Sequence, residues 1–197
     1  ATVMEPSSIG YHLEKAVRLA RHGRPGPVWI DVPLDVQASM IDENDLQGFD
    51  ASTLPQITDG KDLPDKVIRA IELFNQAERP VILAGNGIRL SNALDEFFRL
   101  IGELNIPVLT TWKAADFLPE DHPLYAGRPG AAGQRGANFT QQNADWLLII
   151  GARMDLGQTA YTHANFARHA HKIMVDIDNS EIQKMQMKTD VPVISDA

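Results

Sequence analysis

Cysteine is absent from the 197-residue chain. Disulfides, thiolate nucleophiles, zinc–thiolate sites and iron–sulfur clusters are thereby excluded, and a reducing, cytoplasmic setting is expected. Positive charge is scarce: 18 Lys and Arg against 26 Asp and Glu leave a formal net charge of −8. Binding to nucleic acid or to an anionic membrane surface needs a basic face, so neither partner is expected. No apolar run approaches the roughly 18–20 residues that span a bilayer, and no signal-peptide pattern opens the chain. Familiar catalytic motifs are missing too. There is no His-Glu-x-x-His pair, no Gly-x-Ser-x-Gly elbow and no Walker phosphate loop, so zinc-peptidase, serine-hydrolase and P-loop chemistry lack support. His163, His169 and His171 cluster without a carboxylate at ligand spacing, and no metal site is expected.

What remains is an ordinary globular composition, 44% hydrophobic and 22% charged, in a chain long enough for one domain or one and a fraction. Ser7-Ser8 can cap a helix on which Ile9, Leu13, Ala16, Val17 and Ala20 share a face, with Gly23 just beyond its end. Val28-Trp29-Ile30-Asp31-Val32 reads as a short buried strand closed by Pro33. Polar and turn-forming residues then dominate residues 39–61, which reads as a linker between domains.

From residue 62 onward helices and strands alternate. Pro64 suits the first turn of a helix whose apolar stripe is Val67, Ile68, Ile71 and Phe74. Residues 80–84, 107–111, 146–150, 173–175 and 191–194 read as strands. Helices are expected around residues 94–104, 137–144 and 179–187. Strands without polar alternation, separated by helices, imply a parallel sheet covered on both faces. The fold class is therefore α/β, a Rossmann-like doubly wound domain over residues 62–197. The opening helix and strand cannot bury their apolar faces alone. The last strand is followed only by Ser195-Asp196-Ala197. Both ends are thus expected to have been severed from a longer polypeptide.

In such sheets ligands lie outside the carboxyl ends of the strands, where the strand order reverses. Gly85-Asn86-Gly87 follows the first strand and would let backbone amides approach a phosphate, or would form a plain tight turn. The third glycine of a dinucleotide fingerprint is replaced by Leu90. Gly127, Gly130, Gly133 and Gly136, interleaved with Arg128 and Arg135, lead into a helix and suit a pyrophosphate; a mobile surface loop is the alternative. Gly151-Ala152-Arg153-Met154-Asp155 puts an arginine at a strand end, for a phosphate or for a neighbouring acid. Asp176 and Asp178 can accept from a ribose or an adenine amine, and Asp178 can equally cap the helix that follows. Trp112, Phe117 and Tyr125 lie near these loops and can flank a flat ring, or serve as core or rim residues.

Four segments, taken in order, resemble the thiamine-diphosphate-dependent enzymes of the acetolactate-synthase type. They are residues 23–37 (GRPGPVWIDVPLDVQ), 79–87 (RPVILAGNG), 144–155 (ADWLLIIGARMD) and 175–178 (VDID). The first is similar to the signature closing the family's N-terminal, pyrimidine-binding domain, and the others to its central domain. The resemblance implies residues 1–38 as the end of the first domain, 39–61 as linker and 62–197 as a central domain lacking its last helix. It also implies a parent protein that performs carbon–carbon bond chemistry on a 2-oxo acid with thiamine diphosphate and Mg2+. That parent would be a homodimer or homotetramer. The family's cofactor-binding glutamate and Gly-Asp-Gly segment have no counterpart in this chain, which is not expected to be catalytic alone.

In flavin-binding members the dinucleotide lies along positions matching Gly85, Asn86, Gly87, Thr110, Thr111, Gly133, Arg135, Gly136, Gly151, Ala152, Arg153, Asp176 and Asp178. The resemblance leaves FAD, ADP or no ligand open for this domain. Where acetolactate synthases carry Gly-x-His-Gly-Thr, the chain reads Gly133-Gln134-Arg135-Gly136-Ala137, a departure that counts against flavin. The competing readings are a non-catalytic scaffold bracing the cofactor domains, and a freestanding nucleotide-binding oxidoreductase module.

Overall fold

The computed structural model describes residues 1–54, 60, 62–160 and 162–197. The chain divides into two units, Ala1–Ile57 and Thr58–Ala197.

In the first unit, helix α1 (Ile9–Arg21) ends at His22, and Gly23 follows with φ +62°. Ser8 holds the N-cap position but does not cap, because its hydroxyl donates to the Glu5 carbonyl instead (2.7 Å). The strand expected over residues 28–32 is not formed. Among the described residues only a parallel bridge between Thr2 and Asp31 marks this segment, and Val28 and Trp29 are 42% and 76% exposed. An extended run needs a neighbouring ladder to become a strand, and this segment has one bridge. A short helix, α2 (Leu34–Gln37), follows. The polar stretch beyond it holds two 3-10 turns, Glu43–Asp45 and Ala51–Thr53, each opened by an aspartate accepting a backbone N–H two residues on. Residues 55–59 and 61 of the expected linker lie outside the described residues.

The second unit is a six-stranded, all-parallel sheet in the order β3-β2-β1-β4-β5-β6. Its strands are β1 (Pro80–Ala84), β2 (Val108–Thr110), β3 (Tyr125–Gly127), β4 (Trp146–Ile150), β5 (His171–Asp176) and β6 (Val191–Ile194). Its helices are α3 (Leu63–Phe74), α4 (Gly87–Leu90), α5 (Leu94–Leu104), α6 (Arg135–Asn143), α7 (Leu156–Thr159) and α8 (Asn179–Gln183). Successive strand residues serve opposite faces. Ile82, Ala84, Val108 and Ile173 pack with α5 residues Phe97 and Ile101, whereas Val81, Leu83, Leu109, Leu147 and Ile149 pack with Ala137 of α6 and Ile182 of α8. Burial on both faces explains the unbroken apolar runs. Asp145 pins the start of β1 to the start of β4 by accepting from the Glu78 and Arg79 amides (3.0 and 2.8 Å).

Two local expectations are corrected, and one strand was not expected. Of the stripe expected on α3, Phe74 packs on the core, but Val67, Ile68 and Ile71 are exposed (47%, 57% and 53%), while Leu73 is buried and Leu63 and Ala70 pack on the core. The helix is apolar on more than one side. Trp146, edge-on to Phe74 and donating to the Ala70 carbonyl, selects the side that faces the sheet. The last helix stops at Gln183 rather than 187, and the Gln186 amide donates to His163 Nδ1 instead of to a helical carbonyl. The strand β3 gives no sign in the sequence pattern, since three residues show no period. Among the described residues no helix is long and apolar enough to cross a membrane.

Candidate functional site

The strand order reverses between β1 and β4, so the two turns leaving these strands meet at the carboxyl edge of the sheet. They meet by backbone. Gly85 donates to the Ile150 carbonyl and Gly87 to the Gly151 carbonyl, both at 2.9 Å. A Cβ on Gly87 would lie 2.5 Å from Gly151 Cα, and Gly151 itself has φ +59°. The glycines thus let two diverging crossovers touch, and the amides of Gly85 and Gly87 are engaged within the protein. Asn86, between them, accepts from Arg89 Nη1 at 3.1 Å. The Arg89 guanidinium also lies 4.8 Å over the Phe117 ring and pairs with Asp116 at 2.7 Å. That hydrogen bond holds the Asp116 carboxyl below the usual carboxylate range.

At the end of β2, Thr110 is fully buried and its hydroxyl has no partner; the Thr111 amide donates to the Ala84 carbonyl. The glycine-rich segment after β3 is fastened at several points. Arg128 and Gln134 exchange hydrogen bonds (both 2.8 Å), the Asn138 carboxamide clasps Gly130 through both its N–H and its carbonyl, and the Ala131 amide donates to Gly157. Gly133 donates to the Gly130 carbonyl. Arg135 and Gly136 fall in the first turn of α6, and the Arg135 guanidinium lies over Phe139 of the same helix.

Beyond β4, Ala152 is buried, while Arg153 (φ +60°, side chain 58% exposed) pairs with Glu181 of α8 at 3.3 Å. Lys184 pairs with the same carboxylate. Asp155 caps α7. Asp176 is buried and accepts from the Asp178 amide (2.9 Å), and Asp178 caps α8 through the Ser180 amide (2.9 Å). Of the expected positions, Gly85, Gly87, Thr111, Gly151 and Ala152 are therefore joined by backbone contacts at one edge. Arg153 and Asp178 meet α8, and Arg135 meets Phe139.

Sequence reasoning missed Arg89, Gln134 and Asn138. Arg89 stands three residues beyond Asn86, a helical spacing that could have suggested the contact. Nothing in the pattern marks the other two. Among the described residues no group of three or more His, Asp or Glu side chains is placed to hold a metal ion.

A family profile described as the thiamine pyrophosphate enzyme central domain matches residues 67–197. The chain belongs to that family. It is 37% identical over 206 residues to a probable acetolactate synthase large subunit of Methanocaldococcus jannaschii, covering 99% of this chain and 33% of the relative. Identity is 34% over 200 residues to the acetolactate synthase large subunit of Corynebacterium glutamicum, covering 99% and 30%. It is 34% over 198 residues to that of Lactococcus lactis, covering 98% and 33%. The chain thus spans about a third of the length of these curated relatives. The parallel sheet of this thiamine pyrophosphate enzyme central domain is the fold anticipated from the sequence, and family membership implies thiamine diphosphate as the cofactor of the family's chemistry.

Proposed function

We propose that residues 62–197 are the central domain of a thiamine-diphosphate-dependent 2-oxo acid decarboxylase or carboligase resembling acetolactate synthase. Residues 1–38 would close its pyrimidine-binding domain, and 39–61 would link the two. Dimeric or tetrameric assembly and a 2-oxo acid substrate belong to the same reading. The carboxyl edge of the sheet then takes the adenosine diphosphate portion common to FAD and ADP. The observation that supports this most is the reversal of strand order between β1 and β4. It lies beside the buried, unpartnered Thr110 hydroxyl on one side and the exposed Arg153 on the other.

The residues present do not fit thiamine diphosphate with Mg2+. The chain has no Gly-Asp-Gly segment, and no metal-holding group occurs among the described residues. When bound in the family, that cofactor supplies the carbon–carbon bond chemistry. This chain would contribute nucleotide binding and bracing.

A second reading, a brace with no nucleotide, draws support from the groups already engaged. The Gly85 amide serves β4 and the Gly87 amide serves Gly151, Asp178 caps a helix, and Arg153 pairs with Glu181. Calorimetric titration of the purified chain with FAD, ADP and NAD separates the two. Saturable binding of FAD or ADP, without NAD, supports the nucleotide site. Failure of all three at high micromolar concentration leaves the brace.

A further inference from the structure

The turn after β1 commits the Gly85 amide to β4 and the Gly87 amide to Gly151 just beyond it, yet it carries a further side-chain donor, the Asn86 carboxamide. Its Oδ1 accepts from Arg89 Nη1 at 3.1 Å, and only an oxygen can face a guanidinium, which has no acceptor. The planar amide therefore turns its NH2 away from Arg89, and among the described residues that NH2 has no protein partner. Arg89 is itself held from two sides. Its guanidinium lies 4.8 Å over Phe117, and Nη2 donates to Asp116 at 2.7 Å. Both neighbours come from the loop after β2, so Arg89 ties that loop to the β1 turn at the edge where strand order reverses. A side chain with all three contacts made has little freedom left to swing, and it fixes the amide it touches.

We propose that Arg89 is a positioning residue. It locks the Asn86 carboxamide so that its NH2 donates to the diphosphate of the bound nucleotide, in place of the engaged glycine amides. This rests on the nucleotide reading above. Arg89 acts through Asn86 and does not itself touch the ligand.

The test uses the full 197-residue chain, with ADP and adenosine as probes in calorimetry and a thermal melt for every variant. Asn86→Asp keeps an oxygen for Arg89, so the melting temperature holds or rises. It replaces the donors with negative charge, so ADP binding weakens about tenfold or more while adenosine binding stays level. Asn86→Ala and Arg89→Leu each weaken ADP binding several-fold. The double variant Asn86→Ala/Arg89→Leu binds no more weakly than Asn86→Ala, because Arg89 has then lost the group it positions. Arg89→Lys keeps the charge without the planar fork and resembles Arg89→Leu. ADP binding unchanged by Asn86→Asp, or fully additive losses in the double variant, would overturn the proposal while the nucleotide reading stood. Failure of the unmodified chain to bind ADP and FAD would overturn both.

Discussion

Replacing Gly85 by alanine puts a methyl group into the backbone of Gly151 and Ala152. No side chain can swing aside, because the atoms in the way belong to the main chain of the opposing turn. The same interface leaves a Cβ on Gly87 only 2.5 Å from Gly151 Cα, against the roughly 3.5–4.0 Å of a relaxed carbon–carbon contact. The two turns would have to part by about 1 Å or more, stretching the Gly85–Ile150 and Gly87–Gly151 hydrogen bonds, both now 2.9 Å. Overpacking of this kind costs about 1–3 kcal/mol, and each weakened hydrogen bond about 1 kcal/mol more. The sum, roughly 3–5 kcal/mol, is a large fraction of the ~5–15 kcal/mol that holds a typical domain. Urea unfolding followed by far-UV circular dichroism should show the midpoint fall by roughly 1–2 M. Gly102→Ala serves as a control: it lies inside α5 with open space around it and should gain up to about 1 kcal/mol. A Gly85→Ala chain as stable as the parent would refute the claim that these glycines are there for backbone contact.

Thr110→Val removes a buried hydroxyl without a partner and keeps the shape, so stability should hold or rise by about 1 kcal/mol in urea unfolding; a clear loss would mean that the hydroxyl is satisfied. Burial would raise the Asp190 carboxyl, but hydrogen bonds from Lys188, the Lys172 amide and His171 outweigh it and hold the group below the usual carboxylate range. Its contribution is therefore present above the unfolded value of about 3.9 and lost as pH falls through the lower folded value. Asp190→Asn should lower stability at pH 7 and flatten the acid limb of a stability–pH curve, whereas an unchanged acid limb would contradict the assignment. Finally, the chain alone, given thiamine diphosphate and Mg2+, should release no carbon dioxide from a 2-oxo acid; measurable turnover would show that this sequence holds an active site.

The sheet was legible because β1 and β4 are runs of apolar residues with no polar alternation, a signature of burial on both faces. Segment 28–32 shows the weakness of the same signal. Its apolar residues are strand-like, but a strand is defined by its neighbour, which composition cannot supply. The inward side of α3 was equally hidden, since Val67, Ile68 and Ile71 compete with Leu63, Ala70 and Leu73 for the role. Position 127 explains the missed strand: β3 is three residues long and ends in a glycine with φ +98°. At the candidate site, sequence located the turns correctly at strand ends. It could not tell whether a glycine frees an amide for a ligand or brings two backbones together. Gly85 and Gly87 do the second. That distinction depends on which strand lies beside β1, and only the β1–β4 pairing reveals it.

The most direct test of the account is a crystal structure of the chain grown with ADP. The expected result is diphosphate density over the carboxyl edge between β1 and β4, within hydrogen-bond distance of Asn86 Nδ2. Saturating ADP with no density at that edge, or density elsewhere on the molecule, would contradict it.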